Sequence, residues 1–307
     1  MSKKILLVLN PNSGVGVPAK IIEEFYNTLD NNGYDVDISF TKRAKHATEI
    51  VENAEFYDLV FSIGGDGTLN EVVNGNFKRK DKMTICPLPT GSCNDVASML
   101  GYEKDLLHNL DLALDGEVKT IDIGTINNYA FTYVVGMGKF MDIPYSTSRD
   151  KKSRIGYLAY IKDGINEFFN ETKMHKASIC ADGVEIEGDY SLIIVSNSNH
   201  IAGVPGFHKD VKLDDQKFEV LLCTANNKTK LVNSFIEFYL GMKPKNMISF
   251  KANDLNIRLS EIPEKNWCVD GEKLEDNSNY YHITANNSMD FLVPKNKTKK
   301  LFLNNDV

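Results

Sequence analysis

The run Leu59-Val60-Phe61-Ser62-Ile63-Gly64-Gly65-Asp66-Gly67-Thr68-Leu69-Asn70-Glu71 decides the fold. Leu59 to Ile63 is short and mostly apolar, as expected of a strand buried on both faces of a parallel sheet. Three glycines then turn the chain, and Leu69, Val72, Val73 and Phe77 recur at helical spacing, which predicts a helix from about Leu69. Glycine lets backbone approach a bulky anion and turns N–H donors toward it. A helix N-terminus adds a field that favours phosphate. Asp66 would repel bare phosphate, so it suits a bound magnesium ion or a polar nucleotide group. The competing reading is a tight turn in which Asp66 only caps the helix.

Two more loops share this address, after a strand and before a helix. Asn10-Pro11-Asn12-Ser13-Gly14 follows the apolar run Ile5 to Leu9, and Pro89-Thr90-Gly91-Ser92-Cys93-Asn94-Asp95 follows Met83 to Leu88. Ile21 or Ile22, Phe25 and Leu29 predict a helix that Gly33 ends. Val36, Ile38 and Phe40 alternate as a strand. Val96, Met99, Leu106, Leu110 and Leu114 suggest one or two further helices. This is βαβ order, so the first 120 residues are expected to form a mainly parallel sheet with helices on its faces. Ligands of such sheets bind beyond the carboxyl ends of the strands, and the three loops should therefore converge on one cleft. Neither the Walker A nor the Rossmann GxGxxG pattern is present.

The rhythm changes near residue 120. Segments 120–136, 174–182, 190–196, 218–225, 247–259, 265–270, 280–285 and 290–293 read as strands, and Asp182-Gly183 and Asp270-Gly271 as hairpin turns. Helical patterns interrupt them at Ile155, Leu158, Ile161, Ile165 and Phe168, and at Leu231, Phe235 and Tyr239 with Gly241 behind. A second, mostly antiparallel β domain follows from this. The expected division is an α/β domain over 1–125 and a β-rich domain over 126–293, with the tail 294–307 docking back on the first through Leu301-Phe302-Leu303.

The bulk numbers exclude several classes. The chain has 307 residues, 42% hydrophobic and 25% charged, with a net charge of -7. Phosphate backbones demand clustered Lys and Arg, so nucleic acid is not an expected partner. Lys78, Arg79, Lys80 and Lys82, and Arg149 through Arg154, are local basic stretches that read first as solvated loops. The first apolar run is too short for a signal core, and no run of eighteen apolar residues exists. Cys86, Cys93, Cys180, Cys223 and Cys268 lack CxxC spacing, which argues against a disulfide scaffold or a zinc site and fits a reducing cytoplasm.

The loops resemble the catalytic domain of bacterial diacylglycerol kinases and sphingosine kinases. Gly64 to Thr68 is similar to the signature loop that this family shares with NAD kinases and, more loosely, phosphofructokinases. Asn10-Pro11-x-Ser13-Gly14 and Pro89 to Asp95 look like the flanking nucleotide loops, and Asp270-Gly271-Glu272 like the catalytic Asp-Gly-Glu. The resemblance implies an NAD kinase-like α/β domain, a C-terminal antiparallel β-sandwich and an active cleft between them. It implies transfer of the γ-phosphoryl group of ATP, with Mg2+, to the hydroxyl of a lipid alcohol, most simply diacylglycerol. Carried over by position, Asn10, Pro11, Asn12, Ser13, Gly14, Thr41, Gly65, Asp66, Gly67, Thr68, Leu69, Asn70, Glu71 and Ser92 would contact ATP. Asp66, Asp95 and Glu272 would organise the magnesium and its water, and Asp270 would take the acceptor proton. Lys212-Leu213-Asp214-Asp215-Gln216-Lys217 resembles the family's structural magnesium loop, which implies the Asp215 carboxylate and the backbone carbonyls of Lys212 and Lys217 as ligands. The resemblance also implies a cytoplasmic protein in transient peripheral contact with a membrane, and leaves a homodimer open.

The chain departs from the pattern in two places. Ser92 stands where threonine is usual, which keeps the hydroxyl. Gln216 stands where glycine is usual, which weakens the metal loop. His46, close to Thr41 in sequence, is a further candidate nucleotide contact. The loop 203–207 is equally a wall of an acyl-chain entrance or a plain connection, and Phe168-Phe169 reads as core. Two other functions fit part of the pattern: an NAD kinase, and a non-catalytic nucleotide- or lipid-binding regulator.

Overall fold

The computed structural model describes residues 2–14, 16–138, 173–201, 204–205, 207–264, 267–295 and 298–303. The predicted helix through Ile155 and Phe168, the basic stretch 149–154 and Phe168-Phe169 lie outside them, as do Gly203 and Gly206.

The first half alternates as predicted. It runs β1 (Lys4–Leu9), α1 (Ala19–Asn31), β2 (Asp35–Phe40), α2 (His46–Asn53), β3 (Leu59–Gly64), α3 (Asp66–Lys78), β4 (Thr84–Pro89), α4 (Asp95–Met99) and α5 (Leu106–Leu114). Strands β2-β1-β3-β4 pair in parallel. Every residue of β3 is buried, which explains its apolar run. Helix α2 was not predicted. Its apolar residues, Ala47, Ile50 and Val51, are too few to announce a period. Helix α3 starts at Asp66, one turn earlier than the pattern indicates.

The second half is strand after strand: β5 (Glu117–Ile126), β6 (Tyr129–Phe131), β7 (Val134–Met137), β8 (His175–Ala181), β9 (Val184–Tyr190), β10 (Leu192–Ser196), β11 (His200–Ile201), β12 (Val204–Pro205), β13 (Phe218–Cys223). After helix α6 (Lys228–Tyr239) come β14 (Met247–Ala252), β15 (Asp254–Leu259), β16 (Cys268–Val269), β17 (Glu272–Lys273) and β18 (Tyr280–Val293). Segments 280–285 and 290–293 are thus one long strand with a bulge between Thr284 and Asn287. The opposite happens at 247–259. Its two halves, β14 and β15, join different sheets on either side of Asn253.

Strand β18 decides the architecture. It pairs in parallel with β4 at Phe291 and antiparallel with β5 and β15, so the large sheet continues as β2-β1-β3-β4-β18-β15-β8-β9. A second, antiparallel sheet has the order β14-β13-β10-β7-β16-β17. Ile193, Val195, Val220 and Leu222 face the antiparallel part of the large sheet across one core, with Trp267 and Tyr281 inside it. Their alternates, Leu192, Ile194, Leu221 and Cys223, face α6 and join the core of the first half. Burial on both faces is why these strands carry no polar alternation.

Candidate active site

The three glycine loops do meet. Asn10 Nδ2 donates to Thr68 Oγ1 at 3.1 Å, and the backbone N–H of Asn94 donates to Asp66 Oδ2 at 2.7 Å. The glycines are needed at these contacts. A Cβ on Gly14 would lie 2.1 Å from the Thr90 carbonyl oxygen, and one on Gly91 would lie 2.5 Å from Gly65 Cα. A Cβ on Gly67 would meet Glu272 Oε1 at 2.9 Å, which brings the far hairpin over the start of α3. Gly65 leaves α3 without a side-chain cap, so the N–H groups of its first turn remain available to an anion. Thr90 Oγ1 and Asn94 Oδ1 are buried beside this opening with no hydrogen-bond partner. Unpaired buried polar atoms in a glycine cradle fit a polar ligand such as a nucleotide.

The structure divides the expected ATP contacts. Gly65, Asp66 and Gly67 are partly exposed at the opening, Ser92 is exposed, and Ser13 and Thr41 are nearly buried beside it. Pro11, Asn12 and Gly14 lie exposed at the rim. Leu69 sits in the core. Asn70 is fully buried and turned away toward Asp270. Glu71 caps the neighbouring helix, its two carboxylate oxygens accepting the N–H groups of Lys45 (2.7 Å) and Ala47 (3.0 Å) at the start of α2. These three side chains are committed to the fold. His46 Nδ1 accepts the N–H of Lys42 at 3.1 Å.

The acids fall into two kinds. Asp66 serves α4 rather than its own helix, accepting backbone N–H groups at the α4 N-terminus. Burial still pushes its carboxyl up to about 6, and the charge of Asp270 adds to this. Asp95 is buried as the first residue of α4. Asp270 is 2% exposed. Its Oδ1 accepts the N–H groups of Tyr133 and Val134, both at 3.0 Å. Its Oδ2 accepts the Thr132 N–H (2.7 Å), the Thr132 hydroxyl (2.8 Å) and Asn70 Nδ2 (2.9 Å). Burial pushes its carboxyl up, against the pull of these donors. Glu272, two residues on, is exposed.

Sequence reasoning missed the polar face of α3. Asn74 holds the backbone of Ala130 from both sides, accepting its N–H at 3.0 Å and donating to its carbonyl at 2.9 Å. Tyr129 donates its hydroxyl to Asn70 Oδ1 at 2.7 Å. The signal was available: Asn70 and Asn74 stand four apart on a helix whose neighbouring face is apolar, and a buried asparagine there needs a partner. Through them, α3 carries both the glycine opening and the tether of Asp270, 200 residues away.

Among the described residues no three His, Cys, Asp or Glu side chains group as metal ligands. A dication that brings phosphate oxygens with it would want hard carboxylate oxygens, and Glu272 is the exposed acid of the hairpin that could offer them. The loop over 212–217 carries the other expected ligands, the Asp215 carboxylate and the backbone carbonyls of Lys212 and Lys217, and its charged side chains have protein partners. Lys212 Nζ donates to the carbonyls of Lys300 (2.8 Å) and Phe302 (3.1 Å). Asp215 meets Lys251 Nζ at 3.0 Å and the N–H of Lys217 at 3.1 Å. Leu301 and Phe302 of the tail are buried in the core shared with the first half. Among the described residues no helix is long and apolar enough to cross a membrane.

Comparison with known proteins agrees with this geometry. Residues 4–126 match the diacylglycerol kinase catalytic domain. The whole chain is 29% identical over 313 residues to a diacylglycerol kinase of Staphylococcus aureus, covering 97% of that protein. It is 28% identical over 275 residues to one of Bacillus subtilis, covering 88% of this chain and 90% of that one. A solved diacylglycerol kinase structure from Bacillus anthracis superposes with a TM-score of 0.73 at 25% identity, covering 95% of this chain and 98% of that one. With the glycine opening, the Asp-Gly-Glu hairpin and the two-sheet second half all in place, residues 4–126 belong to the diacylglycerol kinase catalytic-domain family, and the chain over its whole length is similar to bacterial diacylglycerol kinases.

Proposed function

We propose that this protein transfers the γ-phosphoryl group of ATP, with Mg2+, to the hydroxyl of diacylglycerol or a closely related lipid alcohol. The observation that carries this reading is the 2.9 Å hydrogen bond from Asn70 Nδ2 to Asp270 Oδ2. It ties the carboxylate of the late hairpin to the helix whose uncapped N-terminus opens the nucleotide loops.

In this reading residues 1–125 bind the nucleotide, residues 126–293 present the acceptor, and the tail 294–307 returns to the first part. The first-turn N–H groups of α3, with Gly65, Gly67, Thr68, Asn10, Ser13 and Ser92, hold the phosphates. Asp66 and Asp95 orient α4 and its loop against them. A bound Mg2+ would neutralise charge on the transferring group. Glu272 stands where it faces both that charge and the acceptor. Asp270 takes the acceptor's proton as phosphoryl transfer proceeds. The Thr132 hydroxyl on Asp270 Oδ2 marks the place: an acceptor hydroxyl would donate there in its stead. The backbone donors remain, and they hold the carboxylate in one orientation. The acceptor lies in a bilayer, so turnover requires transient peripheral contact with a membrane.

The test is transfer from radiolabelled ATP to a panel of lipid alcohols in mixed micelles, with NAD as the competing acceptor. Labelled phosphatidic acid from diacylglycerol supports the proposal. NADP formation with no labelled lipid would transfer the protein to the NAD kinases. Absence of both products would leave a nucleotide- or lipid-binding regulator.

A further inference from the structure

The loop before β13 collects acids. Asp122, Asp214, Asp215 and Glu219 lie about it, and like charges so placed repel unless a cation joins them. Part of the neutralisation comes from backbone donors. Asp122 Oδ2 accepts the N–H of Gln216 at 2.5 Å, and Asp214 accepts the N–H of Leu303 with both oxygens, at 2.8 and 3.1 Å. Asp215 and Glu219 are served differently.

Strand β14 places Lys251 directly opposite Glu219 in the antiparallel ladder with β13. From there its ammonium reaches three oxygens at one distance. Asp215 Oδ2, Glu219 Oε1 and the carbonyl of Asp210 all lie 3.0 Å from Nζ. The Glu219 contact is an ion pair, not an aligned hydrogen bond. An ammonium has three N–H donors and no acceptor; two of them are met by a carboxylate and a carbonyl, and the second carboxylate adds to the neutralisation of its charge. The side chains of Asp215 and Glu219 are 14% and 7% exposed, so solvent screens this cluster weakly.

A mixed set of carboxylate and carbonyl oxygens around one positive charge is also what a hard dication demands. We propose that Lys251 is the resident cation of the 210–217 loop, occupying with its ammonium the role that a structural divalent metal would otherwise fill. The inference goes beyond the kinase reading and does not depend on it. Its consequence reaches the tail. The same loop holds residues 298–303, through the Leu213 N–H on the Leu301 carbonyl at 2.8 Å, Lys212 Nζ on two tail carbonyls, and Asp214 on Leu303. Loss of the cation should loosen loop and tail together.

The experiment is thermal unfolding of the full-length, nucleotide-free protein in EDTA and in MgCl2, with hydrogen exchange of the 298–303 segment. The wild-type Tm should be the same in both solutions, and calorimetric titration with MgCl2 should show no binding that Asp215→Asn removes. Lys251→Met keeps the length and loses the charge. Its Tm in EDTA should fall by roughly 2–5 °C, exchange in 298–303 should rise, and MgCl2 should restore part of the loss. Lys251→Arg should keep the metal-independent behaviour. A saturable rise of the wild-type Tm with MgCl2, abolished by Asp215→Asn, would overturn the proposal. So would a Lys251→Met protein that matches wild type in EDTA. If Lys251→Met fails to fold, the wild-type titration and Lys251→Arg still decide.

Discussion

Asp182-Gly183 and Asp270-Gly271 are the same dipeptide in the same turn. Each joins two antiparallel strands through two residues, with Asp φ at 46° and 48° and Gly φ at 84° and 89°. Positive φ at both central positions is the turn that matches strand twist, and Asp-Gly suits it. Beyond the turn the two have little in common. Asp182 is exposed and accepts the N–H groups of Asn253 and Asp254 at the sheet's rim. Asp270 is buried against α3 and accepts five donors. The dipeptide specifies how the chain turns. What the carboxylate can do comes from the elements packed on it.

The largest expected effect comes from removing charge at each turn. Asp270→Asn should lower kcat by about 10²–10⁴-fold on the best lipid acceptor. It should also destabilise, because the new amide must aim its NH2 at N–H donors that now face an acceptor. Asp182→Asn should leave kcat unchanged. Steady-state kinetics with circular dichroism melts on both variants decides; equal kcat for the two would remove Asp270 from the chemistry.

A buried polar group without donors sharpens the point. His208 packs between the rings of Phe207 and Phe238, and its Nε2 has no partner. Burial, helped by Lys251, pushes its imidazole down to about 4 from an ordinary 6.5. A folded value below the unfolded one gives stability that is present above about 6.5 and is lost as pH falls toward 4. The loss attributable to His208 is about 3 kcal/mol. Denaturant melts across that range should be flatter for His208→Phe than for wild type, and a parallel pair of curves would contradict the assignment.

The tether of Asp270 comes next. Asn70→Ala removes one of five donors and leaves the Tyr129 hydroxyl without its acceptor. We expect roughly a tenfold fall in kcat, about 1.4 kcal/mol, with little change in the KM for ATP. A rise confined to that KM would instead make Asn70 a nucleotide contact. The smallest effect separates the turns by their glycines. Gly183→Ala and Gly271→Ala each place an L side chain at positive φ and should each cost about 1 kcal/mol of stability. Space does not add to the cost at Gly183, where a Cβ meets nothing within 4 Å. Only Gly271→Ala should also reduce kcat, and a kinetic loss in both would refute the distinction.

Much of this was legible in the chain. Short apolar runs beside glycine loops announce buried parallel strands, and period 3.6 marks α1, α3 and α6, because burial imposes the pattern wherever an element has one or two hidden faces. The Asp-Gly pairs announce their turns because the backbone torsions they favour are local. The convergence of the three glycine loops also follows from strand order, since parallel strands bring their carboxyl ends to one edge.

What stayed hidden depends on contacts between distant residues. Met247 to Leu259 reads as one strand, yet Asn253 divides it between two sheets, because the pairing partners of each half, β13 on one side and β18 on the other, are remote in sequence. Strand β18 reads as two segments, yet it runs unbroken and welds the parallel strands to the antiparallel ones. Asp66 and Glu71 sit in a nucleotide-loop pattern, yet their carboxylates cap neighbouring helices, a choice set by which N-terminus lies within about 3 Å. Lys251 carries no motif at all. Its part comes from a strand register that sets it across from Glu219 and beside Asp215. Local spacing dictates element type and turn, because those energies are paid within a few residues. The partner of a buried charge is fixed only when packing decides which donors are near enough to replace water.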